Sequence, residues 1–375
     1  MCPSSGQDLF NIRRKRLWSE LDMPGQKAVL FLKHEDIYYL TGFCGKDSNS
    51  MLVLSPEKAY LLVNFIYYED ASASVDRKST EVVLYRGDRI KKASQVISSL
   101  EIKQLLLEEA KINHSDFNNL LKELKIRRIH VKPCNDLMGS LRGIKDKTEL
   151  EAIEKACRIT DSVFADILAY GAGSIKRYNE ISLANEMERL CIKYGGQGRS
   201  FDFVIATGQD SSRPHYCSSR KRISRDILLM DFGTVYEKYC SDMTRTVFLG
   251  SRRLNDKMKD MYEVVLEAQL IAIDKCREGV RCDELDGMAR KYIDDAGYGK
   301  YFGHGLGHGV GLEVHEAPYI TRKSRTILKE NMVVTMEPGI YIPGLGGVRI
   351  EDMVVVGKKG CRNLYRAKKD FTFIA

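Results

Sequence analysis

The sequence predicts an α+β protein in two parts: an α/β domain over residues 1–138, then a larger domain over 139–375 with helices covering a curved antiparallel sheet. Three observations predict it. Short β-type and helical runs alternate through the first third of the chain. Long amphipathic helical patterns follow, separated by apolar β-type runs that carry acids. Finally, LLMDFG…YCSDMTRT from Leu228 and VTMEPG…VRIEDMVVV from Val334 repeat one pattern 106 residues apart.

In the first domain, Ala28–Leu32, Met51–Leu54, Tyr60–Asn64, Val82–Tyr85 and Leu105–Leu107 are short, apolar and rich in branched side chains, so they read as strands. Arg14–Leu21, Lys91–Leu100 and Ser115–Leu124 have helical spacing, with Ser115 followed by Asp116 as the expected cap of the last. His34, His114 and His130 stand alone here, and isolated imidazoles are expected to be structural. After a junction at Pro133–Gly143, KDKTE opens a helix running to Tyr170, with apolar residues at Leu150, Ile153, Ala156, Ile159 and Phe164. Glu180–Tyr194, Asp256–Arg277 and Asp283–Ala296 also read as helices. Phe203–Thr207, Ile227–Phe232, Thr244–Leu249, Val333–Glu337 and Val348–Val356 read as strands.

Composition narrows the function classes. The chain has 375 residues, 43% of them hydrophobic and 29% charged, enough for about two cores. No apolar run reaches the roughly 18 residues of a membrane span, and the basic N-terminus is not followed by a secretory apolar segment. Cys2 lacks the apolar segment that a lipoprotein signal requires. The ten cysteines are scattered without a CxxC pair, so reduced thiols and a cytoplasmic location are expected. A net charge of +8, with short clusters at Arg13–Arg16 and Arg220–Arg225, reads as solvated surface rather than a nucleic-acid footprint.

The chemistry lies in the repeated pattern. Asp231 and Asp242 are joined by a hairpin-length segment; Glu337 and either Glu351 or Asp352 are joined by one rich in Gly and Pro. Buried carboxylates raise one another's pKa and lose hydration, so four of them in apolar surroundings require cations. Between the copies lies YFGHGLGHGVGLEVHE, with three of the seven histidines. Its glycines at 303, 305, 307, 309 and 311 alternate with larger residues, leaving bare backbone on one face for close approach. A phosphate cradle would instead carry Lys or Ser/Thr and enter a helix. Carboxylates with one imidazole and no thiolate suit Mn, Co, Fe or Zn. Two such ions about 3.5–4 Å apart acidify water and polarise a carbonyl or phosphoryl group. The residues therefore indicate a dinuclear metal hydrolase, with peptide and phosphoester both open.

In this order, MDFG…SDMTRT, HGLGHGVGLEVHE, TMEPGIY and GGVRIED resemble the pita-bread metallopeptidase family in its proline-specific branch, Xaa-Pro aminopeptidase and Xaa-Pro dipeptidase (prolidase). The resemblance spans the whole chain, IKDKTELEAIEKAC matching the start of the catalytic domain and the first third the creatinase-type N-terminal domain. It implies that Asp231, Asp242, His308, Glu337 and Glu351 hold two divalent metals, manganese foremost, with Asp242 and Glu351 bridging. It makes Glu337 the general base, His304, His315 and His215 substrate-side histidines, and Arg349 the support of a ligating carboxylate. The implied reaction releases the residue before proline. Aminopeptidase action is the first expectation, with dipeptidase action the alternative and a non-catalytic peptide- or partner-binding module the rival from outside enzymes. A methionine aminopeptidase would lack the N-terminal domain, and a creatinase-like enzyme would not need every ligand. A homodimer is expected. GQDSSRPHYCSSRKR departs from the branch by placing Arg213 beside the site.

Overall fold

A computed structural model describes residues 5–21, 26–46, 48–223, 227–250 and 256–374. Cys2 and Arg225 lie outside these. The chain divides into two compact units, Met1–Leu141 and Arg142–Ala375. The division lies a few residues past the expected 138, because the short helix Gly139–Gly143 straddles it.

In the first unit six strands, β1 (Lys27–Phe31), β2 (Met51–Leu54), β3 (Ala59–Val63), β4 (Thr80–Leu84), β5 (Gln104–Glu108) and β6 (His130–Cys134), form one sheet in the order β4-β3-β2-β1-β5-β6. The β1–β2 and β2–β3 pairs are antiparallel; the β3–β4, β1–β5 and β5–β6 pairs are parallel. Leu30, Val53, Leu62 and Leu105 are buried with Ile90, Ala93 and Ile97 of the helix Arg89–Ser98. The helix after β5 starts one position earlier than expected: Asn113, not Ser115 or Asp116, caps it, its side chain accepting from the Asp116 N–H. Asn reaches that amide directly, and Ser115 is already in the first turn.

In the second unit, helices cover two sheets. One runs β19-β11-β8-β7 and the other β13-β12-β14-β17-β18, with β7 Val204–Thr207, β8 Ile227–Phe232, β9 Val235–Tyr236, β10 Tyr239–Cys240, β11 Met243–Leu249, β12 Gly307–Gly309, β13 Glu316–Ile320, β14 Val333–Met336, β15 Gly339–Ile342, β16 Gly346–Arg349, β17 Asp352–Val356, β18 Cys361–Asn363 and β19 Phe373–Ile374. β9–β10 and β15–β16 are separate hairpins. All pairs are antiparallel except β11–β19. The sheets are stitched where the Glu351 N–H donates to Thr244 O and the Thr246 hydroxyl donates to Arg349 O. That seam joins the two sheets. The helix Lys147–Ala169 begins at a capping box between Asp146 and Glu149 and lays Ile153, Cys157, Phe164 and Ile167 against one sheet. Asp256–Lys275 and Cys282–Asp295 pack Met261, Val265, Leu285 and Ala289 against the other.

Two expected strands differ. The Val348–Val356 run is broken at Ile350-Glu351: its first part pairs with β15 and its second with β14. Both parts are buried, and burial hides a change of partner. β14 ends at Met336, leaving Glu337 just past the last rung.

Candidate metal centre

Each acid of the repeated pattern stands at the end of a strand or beside one. Asp231 is on β8; Asp242 precedes β11; Glu337 follows β14; Glu351 occupies the break between β16 and β17. β12 brings His308 to the same place. Asp231, Asp242, His308, Glu337 and Glu351 all line one cavity of about 440 Å³, together with His304, His315, His215 and Arg349. Strand ends put these side chains together because pairing fixes the backbone up to the position where each acid turns inward.

The closest group is Asp242, His308 and Glu351, whose ligand atoms lie within 4.8 Å of one another. His308 Nε2 is 3.1 Å from Glu337 Oε1 and 3.7 Å from Asp242 Oδ2. Its Nδ1–H lies 3.1 Å from Gly309 O, which leaves Nε2 directed at the acids. Thr335 fixes two of these residues: its hydroxyl accepts from the His308 N–H at 3.0 Å and donates to Glu337 at 3.2 Å. The Thr244 hydroxyl donates to Glu351 Oε2 at 2.7 Å. Two buried oxygens, Asp231 Oδ1 and Glu351 Oε1, have no hydrogen-bond partner. An orphaned carboxylate oxygen beside other acids is costly unless a cation meets it. The donor set therefore fits divalent ions.

Charge tells the same story. Burial pushes Asp242 and Glu351 well above the ordinary carboxylate range; the charge of Asp231 adds to the rise of Asp242, and that of Asp242 to the rise of Glu351. Burial also raises Asp231, against the pull of Arg349. Burial opposes protonation of His308, but its bond to Glu337 lifts it to about 9. Burial would raise Glu337 too, yet His308 holds it down at about 2.

Arg349 is 4% exposed and bonded through all three nitrogens: its Nη2 donates to Asp231 at 2.6 Å, Nε to Thr244 at 2.9 Å and Nη1 to the Tyr341 hydroxyl at 2.9 Å. Tyr341 in turn donates to His304 Nε2 at 2.9 Å, while His304 Nδ1 meets Gly305 O at 2.8 Å. Both nitrogens of His304 are thereby engaged, and it reaches the cavity as a tied ring. His315 packs its ring 4.3 Å from that of His308, and the exposed His215 lies on the rim.

Asp352, left open against Glu351 by spacing alone, points elsewhere. Arg245 donates to it at 2.7 Å, Asn363 at 2.7 Å, and Lys369 lies at 2.6 Å. The glycines of the histidine stretch do admit close backbone. A Cβ on Gly307 would fall 2.1 Å from Thr335 O, and one on Gly309 2.3 Å from Ala317 O. Arg213 does not enter the cavity; it closes on Asp210 and stacks over Tyr216.

Sequence reading missed the framework. The buried Glu180 carboxylate accepts from the Thr207 N–H, the Tyr216 hydroxyl and both the N–H and hydroxyl of Ser219, holding both ends of the segment that carries His215. Glu316 is clamped by Arg142 and by Lys145 Nζ at 2.7 Å just after His315. A helix-opening Glu and the Glu of VHE gave no signal, since their partners are distant in sequence.

Residues 151–358 match the family model of metallopeptidase family M24, and residues 13–144 match that of the creatinase/prolidase N-terminal domain. A protein named Xaa-Pro dipeptidase from Pyrococcus furiosus is 38% identical, over 96% of this chain and 99% of that one. Among solved structures, an Xaa-Pro dipeptidase from Bacillus anthracis matches with a TM-score of 0.89 at 34% identity, covering 97% and 99% of the two chains. An X-Pro aminopeptidase from Thermotoga maritima matches with a TM-score of 0.83 at 32% identity, covering 96% and 100%.

Proposed function

The chain belongs to metallopeptidase family M24, and on that premise we propose that it hydrolyses the bond between an N-terminal residue and proline, with Xaa-Pro dipeptides among its substrates. Relatives named Xaa-Pro dipeptidase favour dipeptides over the aminopeptidase action first expected. The observation that carries the reading is the convergence of Asp242, His308 and Glu351 within 4.8 Å, beside two orphaned acid oxygens.

Asp231, Asp242, His308, Glu337 and Glu351 would hold two divalent cations, Mn foremost and Co, Zn or Fe by the same donor chemistry. Bound there, the metals would supply Lewis acidity toward the scissile carbonyl and acidify water. His315 and His215 donate hydrogen bonds toward the carbonyl as charge builds on its oxygen. Tyr341 and Arg349 fix His304, and Arg349 aims Asp231. Glu337 takes the proton from attacking water and returns it to the departing proline nitrogen. An Xaa-Pro bond has no N–H for an ordinary protease to grip, so a site that works through the carbonyl suits it. The free thiols of the nine described cysteines agree with a reducing, cytoplasmic location. No helix among the described residues is long and apolar enough to cross a membrane. A homodimer is part of the proposal.

The test is turnover of Ala-Pro against Ala-Ala by protein loaded with Mn²⁺, Co²⁺ or Zn²⁺. Cleavage of Ala-Pro alone, abolished by chelation, is expected. No cleavage with any of the three metals would overturn the proposal.

A further inference from the structure

Of the acids that converge on the cavity, Asp231, Glu337 and Glu351 are held there through their own side chains. Arg349 donates to Asp231, Thr335 to Glu337 and Thr244 to Glu351. Asp242 differs. Its carboxylate lies 3.7 Å from His308 Nε2, beyond hydrogen-bond reach. It also stands just outside the ladder, since the pairing of β11 with β8 begins at Met243. A short side chain whose oxygens are not gripped is aimed by its backbone.

That backbone is gripped by Tyr365, which follows β18. The Asp242 N–H donates to the Tyr365 hydroxyl at 3.1 Å, and the same hydroxyl donates to Asp242 O at 2.7 Å. One side-chain oxygen thus does for Asp242 what a neighbouring strand does for the residues after it: both polar groups of its backbone are met. Met353 Sδ, on β17, takes a weaker share of that N–H at 3.2 Å. Tyr365 is itself fixed. It is 7% exposed, its N–H donates to Asn363 Oδ1 at 2.8 Å, and the Asn363 amide donates to Asp352 at 2.7 Å.

We infer that Tyr365 is a positioning residue of the metal centre: its hydroxyl brackets the backbone of Asp242 and so aims that carboxylate into the cavity before any cation binds. The inference rests on the metal-hydrolase reading above and deepens it. Tyr365 does not line the cavity, so it acts through Asp242. Outer supports of this kind are worth about tenfold to a hundredfold in metal affinity.

The experiment measures Mn²⁺ affinity by titration calorimetry for the full chain, for Tyr365→Phe and for Tyr262→Phe. Tyr262 is buried outside the cavity, and its hydroxyl donates to Lys369 O at 2.9 Å, so removing it loses a backbone tie without touching a ligand. Tyr365→Phe is expected to weaken Mn²⁺ binding by about tenfold or more. It should also narrow the gap in thermal midpoint between metal-free and metal-loaded protein, whereas Tyr262→Phe should lower both midpoints and leave the affinity unchanged. Hydrogen exchange of the metal-free wild type is a second arm, in which the Asp242 amide is expected to be as protected as those of β11. Exchange at the rate of an open amide overturns the inference whether or not the variant folds. Wild-type affinity in Tyr365→Phe, or an equal loss in both variants, overturns it too and leaves the metal reading standing. A wild-type chain that binds no Mn²⁺ removes that reading and the inference with it.

Discussion

At the scale of single residues, the centre is a set of acids that would repel one another without cations. Asp242→Ala and His308→Ala are each expected to abolish turnover while far-UV circular dichroism stays native; retained turnover in either would reject those ligands. The charge balance makes a second prediction. The bond to Glu337 raises the pKa of His308 to about 9, and burial raises those of Asp242 and Glu351. His308 has a raised pKa, so its ion pair with Glu337 contributes stability at pH values below its ordinary 6.5 and fades as pH rises through about 9. Metal binding competes with protonation of these groups, so affinity rises with pH. Titration calorimetry in two buffers of different ionisation enthalpy at pH 7 should show at least about one proton released per site filled. No release would mean that the groups are already bare. These residues were legible in the sequence because each sits in a short motif with its chemistry beside it. Tyr341 and Thr335 were not, since a hydroxyl in an apolar strand looks the same whether or not it supports a ligand.

At the scale of elements, the histidine strand depends on its glycines more than on its side chains. Gly307 lets β12 approach Thr335, the residue that positions both His308 and Glu337. Gly307→Ala would push a methyl into the Thr335 carbonyl and move His308 with the strand. A loss of about 1–3 kcal/mol in stability is expected, together with weaker metal retention on dialysis; an unchanged melting midpoint and metal content would contradict the close contact. Alternation of Gly with larger residues revealed this approach before any coordinates did. The break at Ile350-Glu351 was hidden, because a run buried on both faces shows no change of pattern where it leaves one hairpin for another sheet. The cap at Asn113 was missed by two positions for a similar reason: neighbouring polar residues all satisfy a propensity rule, and geometry selects one.

At the scale of the whole molecule, the chain divides into an α/β unit and a larger unit. The ties within the larger unit gave no signal in the sequence, because they join distant positions. Arg142 and Lys145, at its start, clamp Glu316, 171 residues beyond Lys145. Buried in this clamp, Glu316 is held below the usual glutamate value of 4.5 by Lys145 and Arg142. Since its folded pKa is depressed, the clamp contributes fully above the ordinary value and is lost as pH falls from there through the lower folded value. Glu316→Gln leaves buried Lys145 without its acid and Arg142 with Glu313 alone, and is expected to cost about 3–5 kcal/mol at neutral pH. The gap in thermal midpoint between wild type and variant should narrow as pH is lowered from 7 to below 4.5; a constant gap would show that the charge is not what matters.

The stitching between Thr244–Thr246 and Arg349–Glu351 has an outcome for heating. One copy of the repeated motif supplies two acids and the other copy two more, and neither pair alone encloses an ion. A tear along that line would scatter the ligands while most helices stay wound. Thermal inactivation would then begin with metal escaping into solution, ahead of the main loss of secondary structure, and an indicator dye would colour before the ellipticity falls.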